Sequence, residues 1–125
     1  MPTRIKAGGP IEGRVATFVP KSTWTDAAIG DLVKITTGAA YEVTECADSD
    51  VPDGIVASVN LQKDVLAVEL FSSGSIARLP YSGSPALGNQ IQASAATTVK
   101  GVASGGTGKI VAVAAVTGYV DVFFA

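Results

Sequence analysis

The sequence predicts an all-β protein, a small β-barrel or β-sandwich of short strands, and three observations carry that expectation. First, 14 Gly and 6 Pro are spread over 125 residues, and each costs a helix interior about 1–3 kcal/mol. Second, runs rich in Val, Ile and Thr recur between turn residues at the spacing of sandwiches and barrels. Third, Val65-Leu66-Ala67-Val68-Glu69-Leu70 and Tyr119-Val120-Asp121-Val122-Phe123 place a charge between apolar neighbours. That is the period of a strand with one buried face.

Taken in order, residues 1–10 read as an extended N-terminal arm, and residues 11–125 as a single β domain. The arm holds Arg4, Lys6, Gly8, Gly9 and Pro10, with Ile5 as its one internal large apolar residue. Too little of it can be buried for it to join a core. Strands are expected at 11–19, 31–36, 39–44, 54–59, 65–71, 75–80, 88–94, 97–102, 109–113 and 118–124. Thr36-Thr37-Gly38, Ser72-Ser73-Gly74, Ser82-Gly83-Ser84-Pro85 and Ser104-Gly105-Gly106-Thr107-Gly108 supply turns between them. The exception to the strand pattern is 22–29, where Ser22 caps a single helical turn that Gly30 stops.

The two halves echo one another. Ala28-Ile29-Gly30-Asp31 resembles Ala86-Leu87-Gly88-Asn89, and Gly54-Ile55-Val56-Ala57 resembles Gly108-Lys109-Ile110-Val111-Ala112. Val68-Glu69-Leu70-Phe71 resembles Val120-Asp121-Val122-Phe123. The echo suggests two similar units, with the second copies lying 58, 54 and 52 residues on.

Composition excludes several function classes. Histidine is absent, which removes the imidazole base and the His ligand. The single Cys46 excludes an intrachain disulfide and any multi-cysteine metal site. A net charge of −2 argues against a general nucleic-acid binder. The longest apolar run, Ile110 to Val116, is too short to cross a bilayer as a helix. The N-terminus lacks a signal-type apolar stretch, so a soluble protein made in a reducing cytoplasm is expected. Charge is uneven: residues 1–24 carry +3, 25–69 carry −7 and 70–125 carry +2. A basic arm beside an acidic middle can dock on a neighbouring copy or on another acidic surface.

No motif assembles into a reaction centre. Ala103-Ser104-Gly105-Gly106-Thr107-Gly108-Lys109-Ile110 lacks the first Gly and the Ser or Thr of a phosphate loop. Asp48-Ser49-Asp50-Val51-Pro52-Asp53-Gly54 departs from a calcium loop. Its third Asp is one residue late, and Val59 stands where Glu is needed. The acids Glu42, Glu45, Asp48, Asp50 and Asp53 solvate a turn, or gather a loosely held cation. Glu69 and Asp121 occupy matching places in the two halves and could face one another as a carboxylate pair. Acids around Cys46 raise its thiol pKa and make it a poor nucleophile. Trp24 either plugs a barrel end or anchors a contact. No enzyme activity, no cofactor and no metal site are expected.

The series Gly30-Asp31-Leu32-Val33, Gly54-Ile55-Val56, Ala86-Leu87-Gly88-Asn89-Gln90-Ile91, Gly108-Lys109-Ile110-Val111-Ala112 and Tyr119-Val120-Asp121-Val122 resembles the small capsid decoration (cement) proteins of tailed bacteriophages. The likeness covers roughly residues 28–124, with Gly108-Lys109-Ile110 where many relatives have a Gly-x-Ala step. It implies a structural virion protein on the outer capsid surface that bridges major capsid subunits and stabilises the shell. The implied partners are the major capsid protein and further copies of the chain, a trimer first, with no direct nucleic acid and no membrane. The alternative is a carbohydrate-binding or host-attachment β module on a virion or cell surface. Physical reasoning places capsid or subunit contact on Arg4, Ile5 and Lys6, with Trp24 as a further candidate.

Overall fold

The computed structural model of the protein describes residues 15–125 of the chain, and among those residues ten strands follow from the alternating runs. The expected arm, with Arg4, Ile5 and Lys6, and the start of the strand expected at 11–19 lie outside the described residues. Five strands make the first half: β1 (Val15–Pro20), β2 (Leu32–Ile35), β3 (Glu42–Glu45), β4 (Gly54–Val59) and β5 (Leu66–Leu70). Five make the second: β6 (Ile76–Pro80), β7 (Gln90–Ala93), β8 (Val99–Val102), β9 (Lys109–Ala114) and β10 (Tyr119–Phe123). Each falls within or close to a run expected from sequence.

The first five close into a barrel in the order β1-β3-β2-β4-β5. Its pairs are antiparallel except β1 with β3, which run parallel through Val19↔Glu42 and Pro20↔Val43. Closure removes the unpaired edges that invite aggregation. The second half forms a three-stranded antiparallel sheet, β9-β10-β6, and a two-stranded one, β7-β8. Isolated bridges between Tyr81 and Val99 (parallel) and between Ile91 and Thr107 (antiparallel) link them.

Each half has its own core. Phe18, Val33, Val43, Val56, Leu66 and Val68 fill the barrel. Leu79, Ile91, Val99, Ile110, Val120 and Val122 fill the second half, and Leu32 and Cys46 of the barrel complete that cluster. Burial of each large aliphatic side chain contributes about 1.5–3 kcal/mol. The halves are also joined through the backbone. Ser49 N donates to Ala93 O at 2.8 Å, Ala93 N to Asp50 O at 2.8 Å and Leu32 N to Ala96 O at 2.8 Å.

The helical turn expected at 22–29 does not form. A tight turn, with Trp24 N donating to Lys21 O at 2.8 Å, is followed by irregular chain. Trp24 and Ala27 are drawn into the barrel core. Burial of the indole outweighs the weak preference of a single capped turn.

Candidate functional site

Alternation along β10 divides its side chains between the core and an outer face. Val120 and Val122 are buried, while Tyr119, Asp121 and Phe123 turn outward. On the neighbouring β6 the register sets Phe123 beside Ile76, Asp121 beside Arg78 and Tyr119 beside Pro80. Ile76 is 61% exposed and Phe123 37%. An exposed apolar cross-strand pair and a tyrosine therefore flank one charged pair.

That charged pair is bidentate. Arg78 Nε donates to Asp121 Oδ1 at 2.9 Å and a terminal guanidinium nitrogen donates to Oδ2 at 3.2 Å. The hydrogen bond from Arg78 holds the Asp121 carboxyl below the usual aspartate range. The same bond raises the Arg78 pKa. Both charges are thus met within the chain, and the face around them offers apolar contact area. Beyond it, Val111 and Val113 on β9 and Val116 in the following turn are exposed too.

Four of the five acids of 42–53 are individually engaged. Glu42 accepts from the Thr36 hydroxyl. Asp48 pairs with Lys100 at 2.9 Å and Asp50 with Lys34 at 3.0 Å. Asp50 also accepts from Ala47 N, and Asp53 from Ile35 N at 2.9 Å. Lysine and backbone contacts hold Asp48 and Asp50 below the usual aspartate range. Among the described residues, no three acids or thiols converge as a metal would require. The segment is a charged loop that ties the halves together.

Asp31 is the buried acid of the described chain. It accepts from Ala28 N at 3.0 Å, and burial raises its pKa, with Asp26 adding to the shift. Cys46 is a free, buried thiol pushed up to about 12, by burial first and by Asp50 next. The sequence gives the direction through neighbouring acids, whereas the larger cause is enclosure between the halves.

Glu69 and Asp121 are not brought together as a pair. Glu69 lies on β5 opposite Ile55 and Val15, and Asp121 lies on β10 opposite Arg78. Their strands belong to different sheets, and the Asp121 carboxylate is occupied by Arg78.

Trp24 is 4% exposed and packs in the barrel core. Buried there, its ring fills the barrel and presents little surface to a partner. Its indole Nε1 is buried and has no hydrogen-bond partner among the described residues. The outer β6–β10 face carries the surface features that sequence reading missed. The alternating run at 119–123 could have found it, because a strand with one buried face must display the other. No protein-family model matches the chain, and no curated protein matches it.

Proposed function

We propose that this chain is a structural virion protein that binds the outer surface of a phage capsid and stabilises it by bridging major capsid subunits. The observation that carries the proposal is the outward face of β6 and β10. Ile76, Tyr119 and Phe123 lie exposed on a rigid sheet while the intervening Arg78 and Asp121 are mutually neutralised. Such a face docks by shape and apolar burial. The proposal includes an extended arm over residues 1–10 as a second contact, through Arg4, Ile5 and Lys6. Repetition over many lattice sites sums contacts that are individually weak.

The proposal further reads the chain as two similar units, and the pairings support this. In the first half β1 pairs with β5 and β3, β2 with β3 and β4, and β4 with β5. In the second half β6 pairs with β10, β7 with β8, and β9 with β10. The two isolated bridges supply the counterparts of β1–β3 and β2–β4 in the same parallel and antiparallel senses. A bulge interrupts β4 between Val56 and Ser58, and another interrupts β9 between Ile110 and Ala112.

The turns before β2 and β7 match atom for atom. Gly30 N donates to Val56 O at 3.0 Å and Gly88 N to Ile110 O at 2.9 Å. Ala28 N donates to the Asp31 carboxylate at 3.0 Å and Ala86 N to the Asn89 amide oxygen at 3.1 Å. Both glycines have positive φ, 95° and 85°, which other residues adopt at a cost. Lys21 N to Val43 O and Ser82 N to Val99 O, at 2.8 and 2.9 Å, align β3 with β8. The Gly-led motifs of the phage family resemblance therefore fall on matched turns and strand starts.

The test is binding to empty, expanded phage heads that lack their decoration protein. Saturable binding with a raised particle melting temperature is expected. Removal of residues 1–10, or Phe123→Ser with Ile76→Ser, should weaken binding while the protein stays folded. Retention on a glycan array without affinity for heads would refute the capsid reading in favour of a carbohydrate-binding module.

A further inference from the structure

An open groove of about 570 Å³ lies beside the C-terminus, where Gln90, Thr107, Lys109, Phe124 and Ala125 form part of its wall. On the two-unit reading, on which this inference rests, Gln90 is the counterpart of Leu32, Lys109 of Ile55 and Ala125 of Phe71. Those three side chains, with Cys46, are what the first unit packs against the core of the second. The groove is thus the second unit's copy of the surface with which the first unit already grips its neighbour.

The gripped surface has a copy as well. In the second unit, Ala93 exchanges backbone hydrogen bonds with Ser49 and Asp50, and Lys100 pairs with Asp48. Ala93 is completely buried there. Its counterpart in the first unit is Ile35, which is 51% exposed. A larger apolar side chain therefore stands open at the position that the internal contact covers in the other unit.

The internal contact runs one way. The loop at 46–50 reaches Ala93 and Lys100 in the other unit. Its counterpart at 102–106 bonds within its own unit, with Gln92 Nε2 donating to Gly105 O and Gly106 N donating to Gln90 Oε1, both at 3.0 Å. A one-way contact between like units leaves one gripping face and one gripped face for a neighbour.

We propose that a second copy of this chain docks head to tail, seating its Ile35 edge in the groove walled by Gln90, Lys109 and Ala125. Charge favours this occupant. Lys109 lies on the groove, and the Ile35 edge carries Asp53, bonded to Ile35 N, and Glu42 close by on β3. Gln90 and Lys109 stand where the internal contact uses Leu32 and Ile55. The joint between copies is consequently more polar than the joint within the chain, as reversible interfaces are.

Sedimentation of the full chain across a concentration series tests the proposal. The wild type should associate as concentration rises. Lys109→Glu in the groove and Ile35→Asn on the edge should each weaken association at least tenfold, with melting temperatures unchanged. Should Ile35→Asn lower the melting temperature, Ile35→Thr replaces it. An equimolar mixture of the groove and edge variants should form a heterodimer that grows no further, because each supplies the face that the other lacks. A wild type that stays monomeric, variants that associate like the wild type, or a mixture that stays monomeric would each overturn the docking. Head binding by a monomeric wild type would overturn the docking and leave the capsid proposal standing. Association without head binding would do the reverse.

Discussion

The ring of Phe71 lies stacked on the ring of Phe124, with centroids 4.6 Å apart and planes 9° apart. Phe71 directly follows the last strand of the first half, and Phe124 the last strand of the second. Backbone bonds reinforce the stack, with Gly74 N donating to Phe124 O at 2.6 Å and Phe124 N to Ser75 O at 2.9 Å. The segment joining the halves is therefore fastened to the end of the chain. Replacing Phe124, which is 4% exposed, by Ala should cost about 3–5 kcal/mol. Urea unfolding followed by circular dichroism checks this, and a loss below about 1 kcal/mol would refute the role given to the stack.

Gly54 leaves no room for a side chain. A Cβ there would sit 2.6 Å from Glu69 O and 2.9 Å from a Val68 methyl. The backbone oxygen cannot swing aside without parting β4 from β5. Gly54→Ala should destabilise the protein by about 2 kcal/mol or more, read as a lower urea midpoint at an unchanged slope.

Trp24 fills the barrel, and among the described residues its indole N–H has no partner. An unmet buried donor costs about 1–3 kcal/mol. Trp24→Phe removes that penalty with some of the volume, whereas Trp24→Ala empties the site. The Ala variant should lose about 3–5 kcal/mol and the Phe variant clearly less. Native Trp24 fluorescence should also resist acrylamide quenching until the protein unfolds.

Cys46 should be inert in the folded protein. With its pKa pushed up to about 12, only about one thiol in ten thousand is ionised at pH 8. A thiol-specific reagent should label it at the rate of unfolding. Fast labelling under native conditions would contradict its enclosure between the halves.

The Asp48–Lys100 pair joins the two halves, and its acid response has a definite sign. Lys100 lowers the folded pKa of Asp48 below its ordinary value. The stability this adds is complete above the ordinary aspartate pKa of about 3.9. It is lost as pH falls from there through the depressed folded value. Asp31 acts in the opposite sense, because its pKa is raised by burial, and protonation favours its folded form. Lys100→Met should flatten the acid limb of the melting curve below about pH 4 while leaving the Asp31 contribution. An acid limb identical to that of the wild type would remove the pair from the account.

The strand positions were legible because they are local. Alternation in 65–70 and 119–123 and the turn residues around them act over a few neighbours, so the runs fell on strands. What depends on distant partners was hidden. Nothing near Trp24 announces that the barrel will take in its ring and prevent the helical turn at 22–29. Val68-Glu69-Leu70 and Val120-Asp121-Val122 look alike along the chain, yet Glu69 pairs with Ile55 and Val15 and Asp121 with Arg78 and Ala112, in different sheets. For Cys46, its neighbouring acids point in the right direction, but the enclosure that dominates comes from the other half. The outer face of β6 and β10 was legible one strand at a time. Its pairing of Ile76 with Phe123 needed the fold.

The parallel pairing of β1 with β3, and its antiparallel pairing with β5 on the other side, bear on biosynthesis. Of the described strands β1 is made before both of its partners, and the seam with β5 waits until Leu70 has left the ribosome. Until then Phe18 has no Leu66 to cover it. The nascent first half must hold an open strand through most of its own translation, so elongation pace and early chaperone capture bear directly on whether the barrel closes.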